Sequence, residues 1–247
     1  MDLPLRTPER PPRIPREITP TRRAQLKEDA PVILYTDPPS FAAEQYRGLA
    51  LQVEEHINPL GTWGYALTVT SSEEAAGKTL TAINLALTLT RGEERRVLLL
   101  EGDLWRPRLH TFFQPERTDW PGLTQVLEGR LSLAEAVVSV EEGSLDVLLA
   151  GASGVAGDLM SGRRMSEVLT ETRAAYELVV IDSPPLGLLA SARSLAARAD
   201  GVVLVVRASQ SKKKNIEKAL TALGPEKLIG VVLNGARVSR RGYRGYY

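Results

Sequence analysis

From residue 61 onward, short and nearly unbroken apolar runs alternate with stretches in which apolar residues recur every three to four positions. The runs at 65–70, 96–101, 145–149, 178–181, 202–206 and 228–233 are built from Val, Leu and Ile with little polar alternation, the pattern of strands buried on both faces. Between them, helical spacing marks 77–90, 165–175, 188–198 and 213–223, with short helices inside 123–138. Upstream, Phe41, Tyr46, Leu49, Leu51 and Val53 share one helical face, and Ser40 is placed to cap it. Buried strands joined by crossover helices make a parallel sheet. The expected fold class is therefore α/β, with a mostly parallel sheet in a three-layer α/β/α arrangement.

The flanks have a different texture. Pro4, Pro8, Pro11, Pro12, Pro15 and Pro20 interleave with Arg6, Arg10, Arg13, Arg16, Arg22 and Arg23. Proline at this density removes backbone donors and favours extended chain, so residues 1–36 are expected to be a flexible arm with neither helix nor strand. Residues 37–236 would then form one domain. The segment 237–247 sets Arg237, Arg240, Arg241 and Arg244 beside Tyr243, Tyr246 and Tyr247, with too few aliphatics for a core element.

Composition narrows the function. The 247 residues carry 31 Lys+Arg against 30 Asp+Glu, so no whole-molecule attraction to nucleic acid arises and no nucleic-acid partner is expected. The absence of cysteine excludes disulfides, zinc-thiolate sites and a Cys nucleophile. No apolar run approaches the roughly 18 to 20 residues of a membrane span, and the N-terminus lacks the apolar centre of a secretory signal. A cytoplasmic protein is expected. Lys212, Lys213 and Lys214 read as the solvated start of a helix.

The chemistry concentrates at three strand ends. Ser72-Glu73-Glu74-Ala75-Ala76-Gly77-Lys78-Thr79 follows a strand and opens a helix, matching the end of the Walker A pattern with Ser72 in its first glycine position. In such a P-loop NTPase, backbone amides from Ser72 and from Ala75 through Leu80 wrap phosphates. Lys78 reaches the β- and γ-phosphates and Thr79 ligates Mg²⁺. Two apolar strands end in carboxylates at Glu101-Gly102-Asp103 and at Asp182-Ser183-Pro184-Pro185, and ligands of an open parallel sheet sit at these carboxyl ends. Asp182 is the candidate metal holder. Asp103 would ligate the metal or accept the proton of an attacking hydroxyl. Asn234, ending the last strand, is placed to hydrogen-bond the nucleotide base or simply to make a turn.

In this order, the Walker A loop, Asp103-Leu104-Trp105-Arg106-Pro107, Asp182-Ser183-Pro184-Pro185, Gly230-Val231-Val232-Leu233-Asn234 and a Tyr-rich C-terminus resemble the bacterial tyrosine kinases (BY-kinases) of exopolysaccharide and capsule synthesis, over about residues 37–247. The resemblance implies an autophosphorylating protein-tyrosine kinase using ATP and Mg²⁺, with Lys78, Asp103 and Asp182 catalytic and Thr79, Asp103 and Asp182 at the metal. It makes Tyr243, Tyr246 and Tyr247 the phosphate acceptors. Glu44-Gln45-Tyr46-Arg47-Gly48-Leu49 resembles the family's helix of subunit contacts, implying that Glu44 and Arg47 join copies in a ring. It further implies a separate membrane protein of the chain-length-determining, co-polymerase type that recruits the chain to the inner face of the membrane, and a cognate tyrosine phosphatase.

Four positions depart from the family pattern: Ala75 in the loop where glycine is usual, Glu101 for Asp, Trp105 for Arg, and Ala50 for the second Arg of the contact helix. They open a second reading, an ATP-binding adaptor that acts by nucleotide-dependent assembly. A third is an ATPase of the partition and division-site type. Those carry a signature Lys where this chain has Glu73, and lack clustered tyrosines.

Overall fold

The computed structural model describes residues 18–37, 39–57, 63–91, 95–115, 121–140, 145–151 and 156–236. Its strands are β1 (Arg22–Leu26), β2 (Tyr65–Ser71), β3 (Val97–Glu101), β4 (Phe113–Pro115), β5 (Val138–Val140), β6 (Leu145–Leu148), β7 (Leu178–Asp182), β8 (Gly201–Arg207) and β9 (Leu228–Asn234). They form one sheet in the order β4-β1-β5-β6-β3-β7-β2-β8-β9. The centre is parallel as expected, whereas β1 with β4 and β5 with β6 run antiparallel. The helices are α1 (Ile33–Thr36), α2 (Phe41–Ile57), α3 (Lys78–Arg91), α4 (Leu123–Leu127), α5 (Leu133–Ala136), α6 (Ala156–Ser161), α7 (Arg163–Ala175), α8 (Ala190–Arg198) and α9 (Lys213–Leu223).

Alternation along the central strands divides the core into two sides. Leu67, Val69, Leu99, Val180 and Val203 face α2 and α3 in one apolar cluster. Ala66, Leu98, Leu100, Val179 and Ile181 face α4 to α7 on the other side, and Val202, Leu204 and Val206 pack under α8 and α9. Every residue of β2, β3 and β7 is buried. Each fully buried aliphatic side chain contributes about 1.5–3 kcal/mol, so these strands are fixed firmly enough to hold charged groups at their ends.

The proline-rich flank needs a correction: the expectation that residues 1–36 form an arm without structure fails from residue 18 on. Pro20 precedes β1, and no proline interrupts 21–30, so the strand keeps its donors and pairs on both sides, with β4 and β5. Ala24 is its one buried side chain, too weak a pattern to stand out. Further in, Ile18, Ala30 and Val32 are buried, and Arg96 donates to the Ile18 carbonyl at 2.7 Å. Arg96 also lies over the Tyr176 ring, whose hydroxyl donates to Asp146 at 2.7 Å. This satisfied network closes the end of the sheet opposite the candidate site.

Two further expectations shift. In α2, Ser40 accepts from the Ala43 amide at 3.2 Å, a capping bond, and Ala43, Leu49, Ala50, Val53 and Ile57 are buried. Leu51, expected on that face, points outward and is exposed. β9 is an edge strand among the described residues and not a doubly buried one: Val231 and Leu233 are more than half exposed.

Candidate active site

The phosphate loop runs from the end of β2 to the first turn of α3. Gly77 has φ +96°, and a Cβ there would lie 2.0 Å from the Asn234 side-chain nitrogen, so only glycine fits. That nitrogen donates to the Ala76 carbonyl at 2.9 Å. Asn234 is thus engaged with the loop itself, a bracing the sequence did not disclose. Ala75 has φ +55°, the left-handed region that disfavours any Cβ by about 1–2 kcal/mol. Lys78 is nearly buried, and the Ser72 hydroxyl is buried without a hydrogen-bond partner among the described residues.

The three acidic groups behave differently. β3 and β7 pair in parallel register with Glu101 opposite Asp182, and the Gly102 amide donates to the Asp182 carbonyl at 2.7 Å, locking the two strand ends together. Glu101 accepts from the backbone amides of Arg108, of Leu109 at 2.6 Å and of Ala150 at 2.8 Å. Its longer side chain is consumed in tying three segments together. Burial raises its pKa and the three amides oppose the rise. Asp182 is fully buried, and its Oδ1 has no partner among the described residues. Burial pushes its pKa up to about 7, against a hydrogen bond from Thr79 and the charge of Lys78, while Glu101 and Asp103 push it further up. Asp103 is also raised by burial, with the Arg106 amide and Lys78 opposing; the amide donates to Asp103 at 3.1 Å.

Lys78, Thr79, Leu80, Ala75, Gly77 and Asp103 all line one cavity of about 630 Å³, a volume suited to a nucleotide-sized ligand. Glu74, Trp105, Arg106, Arg108, Phe112, Pro185, Leu188 and Leu189 complete it. Asp182 sits beneath, reaching Thr79. An orphaned carboxylate oxygen beside a hydroxyl is a donor set for a hard divalent cation, so these residues fit Mg²⁺. No group of three His, Cys, Asp or Glu among the described residues could hold a metal, so phosphate and water oxygens would have to supply the remaining ligands.

Two loop carboxylates went unassigned in the sequence. Glu74 pairs with Arg106 across the mouth. Glu73, at the position of the partition-type signature Lys, accepts from Asn215 Nδ2 at 2.6 Å and from the Lys212 amide at 3.4 Å, capping α9. Two adjacent acids in a phosphate loop were the available signal. Lys212, Lys213 and Lys214 are exposed as expected. Glu44 and Arg47 lie together on the outer surface of α2 and pair with each other. Ala50 is buried against the core, where a long cation would not fit. Tyr243, Tyr246 and Tyr247 lie outside the described residues, and among those described no helix is long and apolar enough to cross a membrane.

No protein-family model matches the chain. Among known proteins, it is 36% identical over 219 residues to the tyrosine-protein kinase YwqD of Bacillus subtilis (strain 168), covering 87% of this chain and 90% of that one. The chimerical protein CapA2B2 superposes with a TM-score of 0.75 over 91% of this chain and 96% of its own, at 23% identity. The septum site-determining protein MinD from Pyrococcus horikoshii OT3, solved with Mg-ADP, gives 0.58 over 71% and 72% at 24% identity. The last two establish the fold alone, a mostly parallel sheet between layers of helices. At 36% identity over 219 residues, with nine-tenths of YwqD covered, the chain belongs to the bacterial tyrosine-protein kinases.

Proposed function

We propose that the cavity binds Mg·ATP and that the chain phosphorylates the tyrosines of residues 243–247 on a neighbouring copy. The observation that carries the reading is Asp182, a buried carboxylate with one oxygen unpartnered among the described residues, set beside Thr79 in the first turn of α3. Thr79, Asp182 and Asp103 are the residues that would hold Mg²⁺, which when bound neutralises charge on the phosphates. The loop amides and the N-terminus of α3 orient the triphosphate, and Lys78 balances the charge on the phosphoryl group in flight. Asp103, its pKa raised by burial, takes the proton of the incoming tyrosine hydroxyl as that oxygen bonds phosphorus and the bond to ADP breaks. Asn234 keeps Gly77 and Ala76 in position. Glu73 speaks against the partition-type ATPase, since the signature position is occupied by a helix cap.

The setting follows from the resemblance to kinases of exopolysaccharide and capsule synthesis. The protein acts in the cytoplasm, recruited to the inner face of the membrane by a chain-length-determining co-polymerase. Glu44 and Arg47 contribute to assembly of copies, and a cognate phosphatase resets the tail.

Intact-mass and phosphopeptide analysis after incubation with Mg·ATP, with and without the membrane partner's cytoplasmic segment, tests the reading. Phosphotyrosine is expected on the peptide holding Tyr243, Tyr246 and Tyr247, lost in Lys78→Met and in the triple Tyr→Phe chain. A Lys78→Met protein that still labels its tail overturns it.

A further inference from the structure

Lysine is unevenly spread along the chain. Seven of the 31 basic residues are lysines, and four of those seven are Lys212, Lys213, Lys214 and Lys218, at the start of α9 and along its first two turns. All four are exposed. The one acid within residues 212–218 is Glu217, 3.7 Å from Lys213, and that lysine's side chain is still 91% exposed.

Apolar surface lies beside these charges. Val232 joins the apolar cluster under α2 and α3, and a Cβ at Gly230 would meet Gln52 and Leu49 of α2, so alternation turns Val231 and Leu233 to the opposite face of the sheet. They are 53% and 59% exposed. α9 crosses that same face, with Ala219 and Leu223 buried against Val202, Leu204 and Val206 of β8. On one flank of α9, Asn215 reaches Glu73 in the loop after β2, and β2 and β9 lie on opposite sides of β8. Helical geometry then sets Lys213, Glu217 and Leu220 on the other flank, toward β9. The lysines and the two open aliphatic side chains share one edge of the molecule.

We infer that this edge rests on an anionic lipid surface, with Lys212, Lys213, Lys214 and Lys218 among the headgroups and Val231 and Leu233 turned toward the acyl boundary. The choice of cation decides between occupants. Carboxylates of an acidic protein segment are gripped best by the flat fork of arginine, which is the commoner cation elsewhere in this chain. Lysine is a compact charge on a flexible stem and suits a diffuse negative field with no fixed partner geometry. Lysines bordered by exposed aliphatic side chains are the composition of surfaces that lie on membranes. A patch of this size binds weakly and reversibly, so it serves as a second signal beside the recruitment by a membrane protein proposed above, and two linked contacts hold far better than either. The inference goes beyond the kinase reading and stands on the patch alone.

The test is co-sedimentation of the full chain with phosphatidylcholine vesicles made with and without phosphatidylserine, at low and at physiological salt. Binding is expected to the anionic vesicles alone and should fall as salt rises. Each lysine near such a surface contributes about fivefold, so changing all four to Gln should weaken binding roughly a hundredfold, whereas changing all four to Arg should preserve it. Val231→Thr with Leu233→Thr should cost about tenfold and leave the salt dependence in place. Every variant should melt at the wild-type temperature, since the substituted side chains are exposed. Equal binding to neutral and anionic vesicles, or undiminished binding by the fourfold Gln variant, overturns the inference. So does binding that is lost only when Arg237, Arg240, Arg241 and Arg244 are changed to Gln, which would place it in the tail. A wild type that ignores both vesicles but takes up polyglutamate through these lysines overturns it in favour of an acidic protein partner. No arm contains ATP, so the result is independent of phosphate transfer.

Discussion

The ends of β3 and β7 place two buried carboxylates side by side, and the protein treats them oppositely. Glu101 is saturated, with three backbone amides converging on its two oxygens. Asp182 keeps one oxygen without a partner among the described residues and is pushed toward neutrality, its pKa about 7. Both positions are equally inaccessible to water. A buried polar group left unsatisfied is destabilising, so its retention beside a phosphate loop marks a place where a ligand supplies the missing charge. The saturated neighbour is structural: it ties β3 to the segment after it and to the end of β6.

Substitution should separate the two. Glu101→Ala strands two buried amides and a half-buried one and opens a void, and is expected to destabilise the fold by about 3 kcal/mol or more, read from denaturant unfolding. Asp182→Asn should do the reverse, stabilising the nucleotide-free protein by about 2 kcal/mol at pH 8 while abolishing phosphate transfer. Equal destabilisation by both would erase the distinction. pH sharpens it further. Because the folded-state pKa of Asp182 lies above its unfolded value, its favourable contribution is complete at low pH and is lost as pH rises through about 7. Thermal melts of the nucleotide-free protein should therefore fall from pH 5 to pH 8 and flatten in Asp182→Asn. The smallest effect belongs to the loop above: Ala75→Gly removes the left-handed penalty but gains unfolded-state freedom, for a net stabilisation of about 0.5–1 kcal/mol, measurable as a small rise in Tm.

Much of this was readable in the residues. The doubly buried strands announced themselves as apolar runs, the candidates Lys78 and Thr79 by the Gly-Lys-Thr that opens a helix, and the candidates Asp103 and Asp182 by their places at the ends of apolar strands. The short and peripheral strands did not. β1 buries only Ala24, and β4 and β5 have three residues each, so periodicity has nothing to repeat; their antiparallel pairing depends on partners far along the chain. Edge or centre is likewise invisible locally, which is why β9 was expected to be covered on both faces. The same holds for the loop acids. Glu101 meets Ala150 across 49 positions and Glu73 meets Asn215 across 142, contacts that exist only once the sheet order is set.

The Glu74–Arg106 pair has a consequence for how nucleotide arrives. Among the ionisable side chains lining the cavity, two acids face three bases, and the whole chain is nearly neutral. The mouth thus carries its own counterion and projects little field into solution. Long-range steering of an anionic ligand requires an uncompensated patch, and beyond about 10 Å salt screens what remains. Encounter with ATP is accordingly governed by ordinary diffusion and is nearly indifferent to ionic strength. On the proposed reading, selectivity for the triphosphate would be exerted after entry, by the loop amides and Lys78.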